Sequence, residues 1–262
     1  MIMPSMTEFN PKFIAQFPPQ LQPQLLQFAA FVNGLQESLR ESPELRWPPP
    51  TDLWEQFDYF VELVLQANAA KGISLCSGIV GALNENNYLS VAVLMRAFFE
   101  QVLLIREYWA DHWLPVLSKC ASAGRVEPSE LQELIGKLHS SVRRSKINFE
   151  NFLSGKFAAL EDKDQMDDVT LLKAARAWTA AGKKLGMFTP SGLYNLLCDF
   201  AHPNFGSAVL CLSTDEIRFA GAIEPTTGLK AFAILYPSLS ALAMELKQHL
   251  VQLEQVKFNV GS

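Results

Sequence analysis

Charge is scarce in this chain: 19% of its 262 residues are Asp, Glu, Lys or Arg, and the net charge is -5. A balance of that sign excludes broad electrostatic adhesion to nucleic acid, which needs a basic face that neutralises several phosphates. A local basic cleft is still allowed. Cysteine and histidine are scarcer, with four of each. Cys76, Cys120, Cys198 and Cys211 form no C-x-x-C pair, and the dispersed histidines complete no zinc-ligand spacing, so reduced thiols and no metal are expected. The templates of nucleotide and hydrolase chemistry are missing too: there is no G-x-x-x-x-G-K-[ST], no G-x-G-x-x-G after a strand, no H-E-x-x-H and no G-x-S-x-G. Without the E-x-x-H pairs of di-iron bundles, nothing asks for a cofactor.

Long unbroken apolar runs are also lacking. The most apolar segment, from Tyr88 to Ile105, is interrupted by Arg96, Glu100 and Gln101, whose cost in lipid argues against a spanning helix. Met1 to Phe17 holds no positive region followed by an apolar stretch, so no secretory signal is expected. These features predict a cytoplasmic protein that makes no membrane contact. Its length is near the upper limit for a single core, so one domain over 1–262 is expected. With 49% hydrophobic residues against so little charge, part of the apolar excess is expected between subunits of a homo-oligomer.

What is present is helical periodicity. Leu25, Leu26, Phe28, Ala29, Val32, Leu35 and Leu39 share one helix that stops before Pro43, and the prolines of 42–50 make a stiff connector. Thr51 or Asp52 caps a helix from Leu53 to Ala70, with Gly72 ending it and a shorter helix running from Ile73 to Leu83. Asn84, Asn86 and Asn87 form a polar break. The next helix, Asn86 to Ala110, is apolar on nearly every side, the mark of a central buried element.

Shorter helices are expected near Pro115–Ser122, Pro128–Arg144 and Phe149–Leu160. The acidic stretch Glu161 to Asp168 and the basic Lys183 and Lys184 match the two ends of a helix macrodipole. Pro190 opens a further helix that closes at Ala201-His202-Pro203-Asn204. Ser207–Leu212 and Glu216–Ala220 then suit strands and predict a small β-hairpin over 207–221. A helix over 226–258, kinked at Pro237, ends the chain. No internal repeat occurs. The expected fold is therefore mainly all-α, a multi-helix bundle around a buried central helix with one small β-hairpin. Its parts are 1–50 (N-terminal helices and connector), 51–206 (helical core), the hairpin and the terminal helix.

Two constellations carry chemistry. Arg96 and Glu100 stand one helical turn apart in the middle of the apolar helix. Such a pair either fixes helix packing or forms a polar pocket in which Arg96 binds an anion and Glu100 orients it or acts as a base. The second is Tyr194, Asp199, His202 and Asn204 at a helix end. His202 there either satisfies the last carbonyls or serves as a general acid and base near neutral pH. Glu245 and His249, also one turn apart, read as a surface pair, and the basic run Ser140 to Lys146 reads as a solvated face.

The segment Leu94-Met95-Arg96-Ala97-Phe98-Phe99-Glu100, followed much later by Tyr194-Asn195-Leu196-Leu197-Cys198-Asp199-Phe200-Ala201-His202-Pro203, resembles an uncharacterised group of bacterial helical proteins. Its members carry LLR-x-x-x-E on one helix and Y-x-x-L-S-x-x-x-H-P on another; Cys198 stands at the Ser of that pattern. The group is similar in outline to the HEPN helical bundles, some of which are metal-independent ribonucleases of toxin and phage-defence systems. The HEPN signature places His four to six residues after Arg. No Arg lies between Ala177 and Ile217, so Arg96 could join His202 only through tertiary contact. A literal match at Arg106 and His112 is of a kind that chance supplies readily. Two functions remain. One is an oligomeric helical binding protein with a polar pocket, in which Arg96, Glu100 and His202 are the candidate reactive groups and Tyr194, Asp199 and Asn204 the candidate ligand-binding groups. The other is a HEPN-like ribonuclease acting on RNA. The ligand class expected is RNA or a small anion.

Overall fold

A computed structural model of the chain describes residues 6–46, 48–115, 118, 127–143, 168–201 and 223–260. Its helices are α1 (Pro11–Ile14), α2 (Gln22–Glu41), α3 (Leu53–Asn84), α4 (Tyr88–Glu107), a π-helical turn (Tyr108–Trp113), α5 (Pro128–Arg143), α6 (Asp168–Ala180), α7 (Pro190–Ala201) and α8 (Pro225–Val260). There is no strand among the described residues, and the bundle is all-α there. The expected hairpin at 207–221 and the helices expected near 115–122 and 149–160 lie wholly or mostly outside the described residues.

Local chemistry accounts for the helix boundaries. Asp52 caps α3, its Oδ1 accepting from the backbone N–H of Trp54 at 2.9 Å and of Glu55 at 3.1 Å. Asn86 turns the chain between α3 and α4 with φ 56, and Asn87 caps α4 through Ser90 N–H at 3.2 Å. Thr189 does the same for α7 through Gly192 N–H at 3.2 Å. Glu224 opens α8, accepting from Thr226 and Thr227 N–H at 3.0 and 2.8 Å, and these backbone donors hold its carboxyl down to about 2.

One boundary needs correction. Gly72 does not end a helix, because α3 runs unbroken through it to Asn84. A Cβ at Gly72 would sit 2.8 Å from Leu246 Cδ2, so this glycine is where α8 crosses α3 closely. Likewise α6 stops at Ala180, leaving Lys183 and Lys184 beyond its last turn.

Most buried residues gather around α4, which packs against α3, α6, α7 and α8. Met95, Phe98, Phe99, Val102 and Leu103 are fully enclosed. A second, smaller core joins Phe57, Val61 and Val64 of α3 to Trp113, Leu131 and Leu134, with Leu253 from α8. The N-terminal segment is part of the main core: Phe9, Phe13 and Phe17 are buried, and Phe17 meets Phe232 edge to face at 5.9 Å. Asn84 clamps that segment, accepting from Asn10 N–H at 2.7 Å and donating to the Glu8 carbonyl at 2.9 Å.

At Pro237 inside α8, the turn 181–189 docks. Ser238 Oγ donates to the Leu185 carbonyl at 2.8 Å, and Gly186, with φ 60, lies where a Cβ would approach Pro237 and Ser238 backbone atoms to 2.9 Å. Three helical stretches, Leu53–Asn84, Tyr88–Ala110 and Pro225–Gln255, are long and apolar enough to cross a membrane by length and composition. Length alone therefore does not set this chain apart from a membrane protein.

Candidate functional site

The side of α4 that carries Arg96 and Glu100 is its least covered one. Leu89 and Val93, two turns and one turn before Arg96, are 42% and 43% exposed, and the Arg96 and Glu100 side chains are 19% and 26% exposed. The central helix is thus buried on most sides and open along one stripe. Arg96 Nε donates to Glu100 Oε1 at 2.9 Å. Burial alone would lower the Arg96 pKa, but the hydrogen bond and charge of Glu100 outweigh it and raise it further. The guanidinium is permanently charged.

α7 brings the second constellation to this pair. Pro190 in its first turn and the apolar Leu193, Tyr194 and Leu197 seat it against α4, and Thr179 Oγ1 ties it to α6 through Ser191 Oγ at 3.0 Å. Tyr194 is buried and meets Phe99 edge to face at 6.2 Å. Burial pushes its hydroxyl up to about 12, with Cys198 and Glu100 adding to the rise and Arg96 opposing it. The Cys198 thiol lies one turn further along α7 and interacts electrostatically with the Tyr194 hydroxyl. It is also raised by burial, against the pull of Arg96.

Arg96, Glu100, Tyr194 and Cys198 therefore form one electrostatic cluster, although they come from helices far apart in the chain. Asp199 is exposed and acts on the cluster by raising Cys198. His202 and Asn204 lie outside the described residues. The sequence marked Cys198 only as a reduced thiol standing at the Ser of the Y-x-x-L-S-x-x-x-H-P pattern, not as a member of the site. At neutral pH the cluster offers a fixed cation, a carboxylate and a phenol that remains a hydrogen-bond donor, a set suited to holding an oxyanion.

A second polar cluster went unread in the sequence. His249 is not on the surface: it is 7% exposed, with Nδ1 3.0 Å from Gln252 Oε1 and no hydrogen-bond partner at Nε2 among the described residues. Glu245 pairs with Lys183 of the α6–α7 turn instead of with His249. Lys183 Nζ and the Arg106 guanidinium lie 5.8 and 5.2 Å from the centre of the Trp178 ring. Burial lowers the His249 pKa, Gln252 and Glu245 pull it up, and Arg106 and Lys183 push it down. Gln101, expected to interrupt an apolar helix, is buried with its amide donating to the Asn68 carbonyl of α3 at 2.7 Å.

No group of three or more His, Cys, Asp or Glu that could hold a metal gathers among the described residues. Cys76 is buried and free, and Cys198 is half-buried and free. Comparison with family models, with characterised proteins and with solved structures finds no match to this chain.

Proposed function

We propose that this chain is a cytoplasmic, homo-oligomeric helical binding protein whose α4–α7 cluster receives a small anionic ligand. The observation that carries the reading is the meeting of Arg96 and Glu100 with Tyr194 and Cys198 on a partly open stripe of α4. Glu100 fixes the plane of the guanidinium, and an arriving oxyanion shares that guanidinium with it. Tyr194 donates from the α7 side; His202, four residues beyond Cys198 in the sequence, is the third candidate group of this reading.

The test is thermal unfolding of wild type and Arg96→Ala with inorganic phosphate and with mononucleotides. Wild type should be stabilised by one of these probes in a saturable way, and Arg96→Ala should not. No saturable shift with any of them in wild type would sink the reading.

A second reading is a HEPN-like, metal-independent ribonuclease. Its support is specific: the α4–α7 packing sets Arg96 beside Cys198, one turn before His202 in the sequence. In that chemistry His202 exchanges a proton with the ribose 2′-hydroxyl or the leaving oxygen, while Arg96 stabilises charge on the phosphorus centre. RNA cleavage that persists in EDTA and vanishes in Arg96→Ala and His202→Ala supports it. Intact RNA after prolonged incubation with pure wild type rules it out.

A further inference from the structure

α2 and α8 both pack on α3 but barely touch one another, and the gap between them is a groove of about 840 Å3. None of these three helices carries the α4–α7 cluster. Along α2 the groove runs from Gln27 to Glu41, about 20 Å at 1.5 Å per residue. A trough of that length, open along its side, fits an elongated segment better than a compact molecule.

Its surface has three parts. Phe31 and Leu35 of α2, Leu65 of α3 and Leu250 of α8 give an apolar floor. Ala30, Gly34 and Ser38, each one turn from the next and all exposed, leave only small side chains along the middle of the α2 wall, between Gln27 and Glu41 at its ends. A Cβ at Gly34 would meet nothing within 4 Å. A mid-helix glycine costs about 1 kcal/mol relative to alanine, and no contact among the described residues accounts for it here. The rim is acidic: Glu41 and Glu254 are exposed at the two walls and Glu62 is buried at the floor, against one cation, Lys247, among the described lining residues.

We propose that this groove is the docking site for an amphipathic α-helix of a partner protein. The helix lays an apolar stripe on Phe31, Leu35, Leu65 and Leu250 and sets Lys or Arg against Glu41 and Glu254. The small side chains along the middle of the α2 wall let the two helix axes approach closely, since interaxial distance is set by the side chains at the contact. The acidic rim selects a cationic helix and disfavours anionic lipid and nucleic acid. This is recognition of a helix in a groove, read through anchors at one-turn spacing.

The test uses two labelled synthetic helical peptides about four turns long, one built of Leu and Lys and the other of Leu and Glu, titrated into the full chain and read by fluorescence anisotropy. The basic peptide should bind saturably and the acidic one should not. Gly34→Leu should weaken the basic peptide about tenfold by filling the wall, with no fall in melting temperature because the new side chain enters open space. Combined Glu41→Gln and Glu254→Gln should weaken it and remove most of its salt dependence. Absence of saturable binding by the basic peptide, equal binding by the acidic one, or binding indifferent to Gly34→Leu would each overturn the proposal. So would a shift from dimer to monomer in Gly34→Leu, which would assign the groove to a second copy of this chain.

Discussion

At the scale of single residues, burial decides which charges matter. Arg96 and Glu100 are a partly exposed pair on one helix face, a geometry worth about 0.3–1 kcal/mol. Arg96→Ala is therefore expected to melt within a few degrees of wild type, which scanning calorimetry will show. A large loss would mean that Arg96 holds the bundle together and would remove the main reason to call the cluster a ligand site. His249 is the opposite case. It is buried, its pKa is lowered, and the folded state prefers it neutral. The unfolded chain, with an ordinary imidazole pKa of about 6.5, binds its proton first as pH falls, so stability rises with pH in this range. The contribution of His249 is complete above that value and is lost on acidification toward the folded-state pKa. Melting temperature should fall between neutral pH and about pH 5, and His249→Gln should flatten that limb. An equally steep limb in the variant would assign it to other groups.

At the scale of elements, two glycines one might treat alike should behave in opposite ways. A Cβ at Gly228 would come within 2.1 Å of the ring of Tyr88, itself buried at the start of α4. Gly228→Ala must push α8 away from α4, and overpacking of this kind costs about 1–3 kcal/mol, more than the helix propensity it gains. Gly34→Ala enters open space and should stabilise by about 0.4–1 kcal/mol. Denaturant midpoints of the two variants should move to opposite sides of wild type, and movement in the same direction would contradict the packing of α8 on α4. The same contrast explains what the sequence could show. The start of α7 was legible because Thr189 and Pro190 are local signals. Gly72 was misread because a close helix crossing and a helix end look identical in one dimension. The buried Phe9, Phe13 and Phe17 were overlooked although they recur one turn apart, because α1 is too short to show periodicity. In the candidate site the Arg96–Glu100 pair follows from i,i+4 spacing, whereas its meeting with Tyr194 and Cys198 depends on how α7 packs, which spacing does not encode. The burial of His249 was hidden for the same reason: the charged groups around it, Arg106 and Lys183, come from two other places in the chain.

At the scale of the whole molecule, the question is which solvent the outer faces of α3, α4 and α8 meet. Their composition alone would allow each to cross a bilayer. Much of that apolar character is spent inward, on one another: Ile79, Leu83, Phe98, Val102, Leu239 and Leu242 are all fully enclosed. The outward sides differ. Glu55, Asp58 and Lys71 of α3 and Lys230, Lys247 and Glu254 of α8 are exposed, and a charge held at the centre of a bilayer costs about 3 kcal/mol or more. Apolar side chains turn outward as well, at Trp54 of α3, at Ile234, Met244 and Val251 of α8, and at Leu89 and Val93 of α4, the last two forming a patch beside the charged Arg96 and Glu100. That short patch suits a contact between subunits better than contact with lipid, since it ends in an ion pair. Cells lysed without detergent and centrifuged at high speed should therefore leave the protein in the supernatant, as a defined oligomer by light scattering. Sedimentation with membranes that resists high salt and alkaline carbonate, and yields only to detergent, would overturn the cytoplasmic reading. It would also require the charged faces of α3 and α8 to be covered by partners within the membrane.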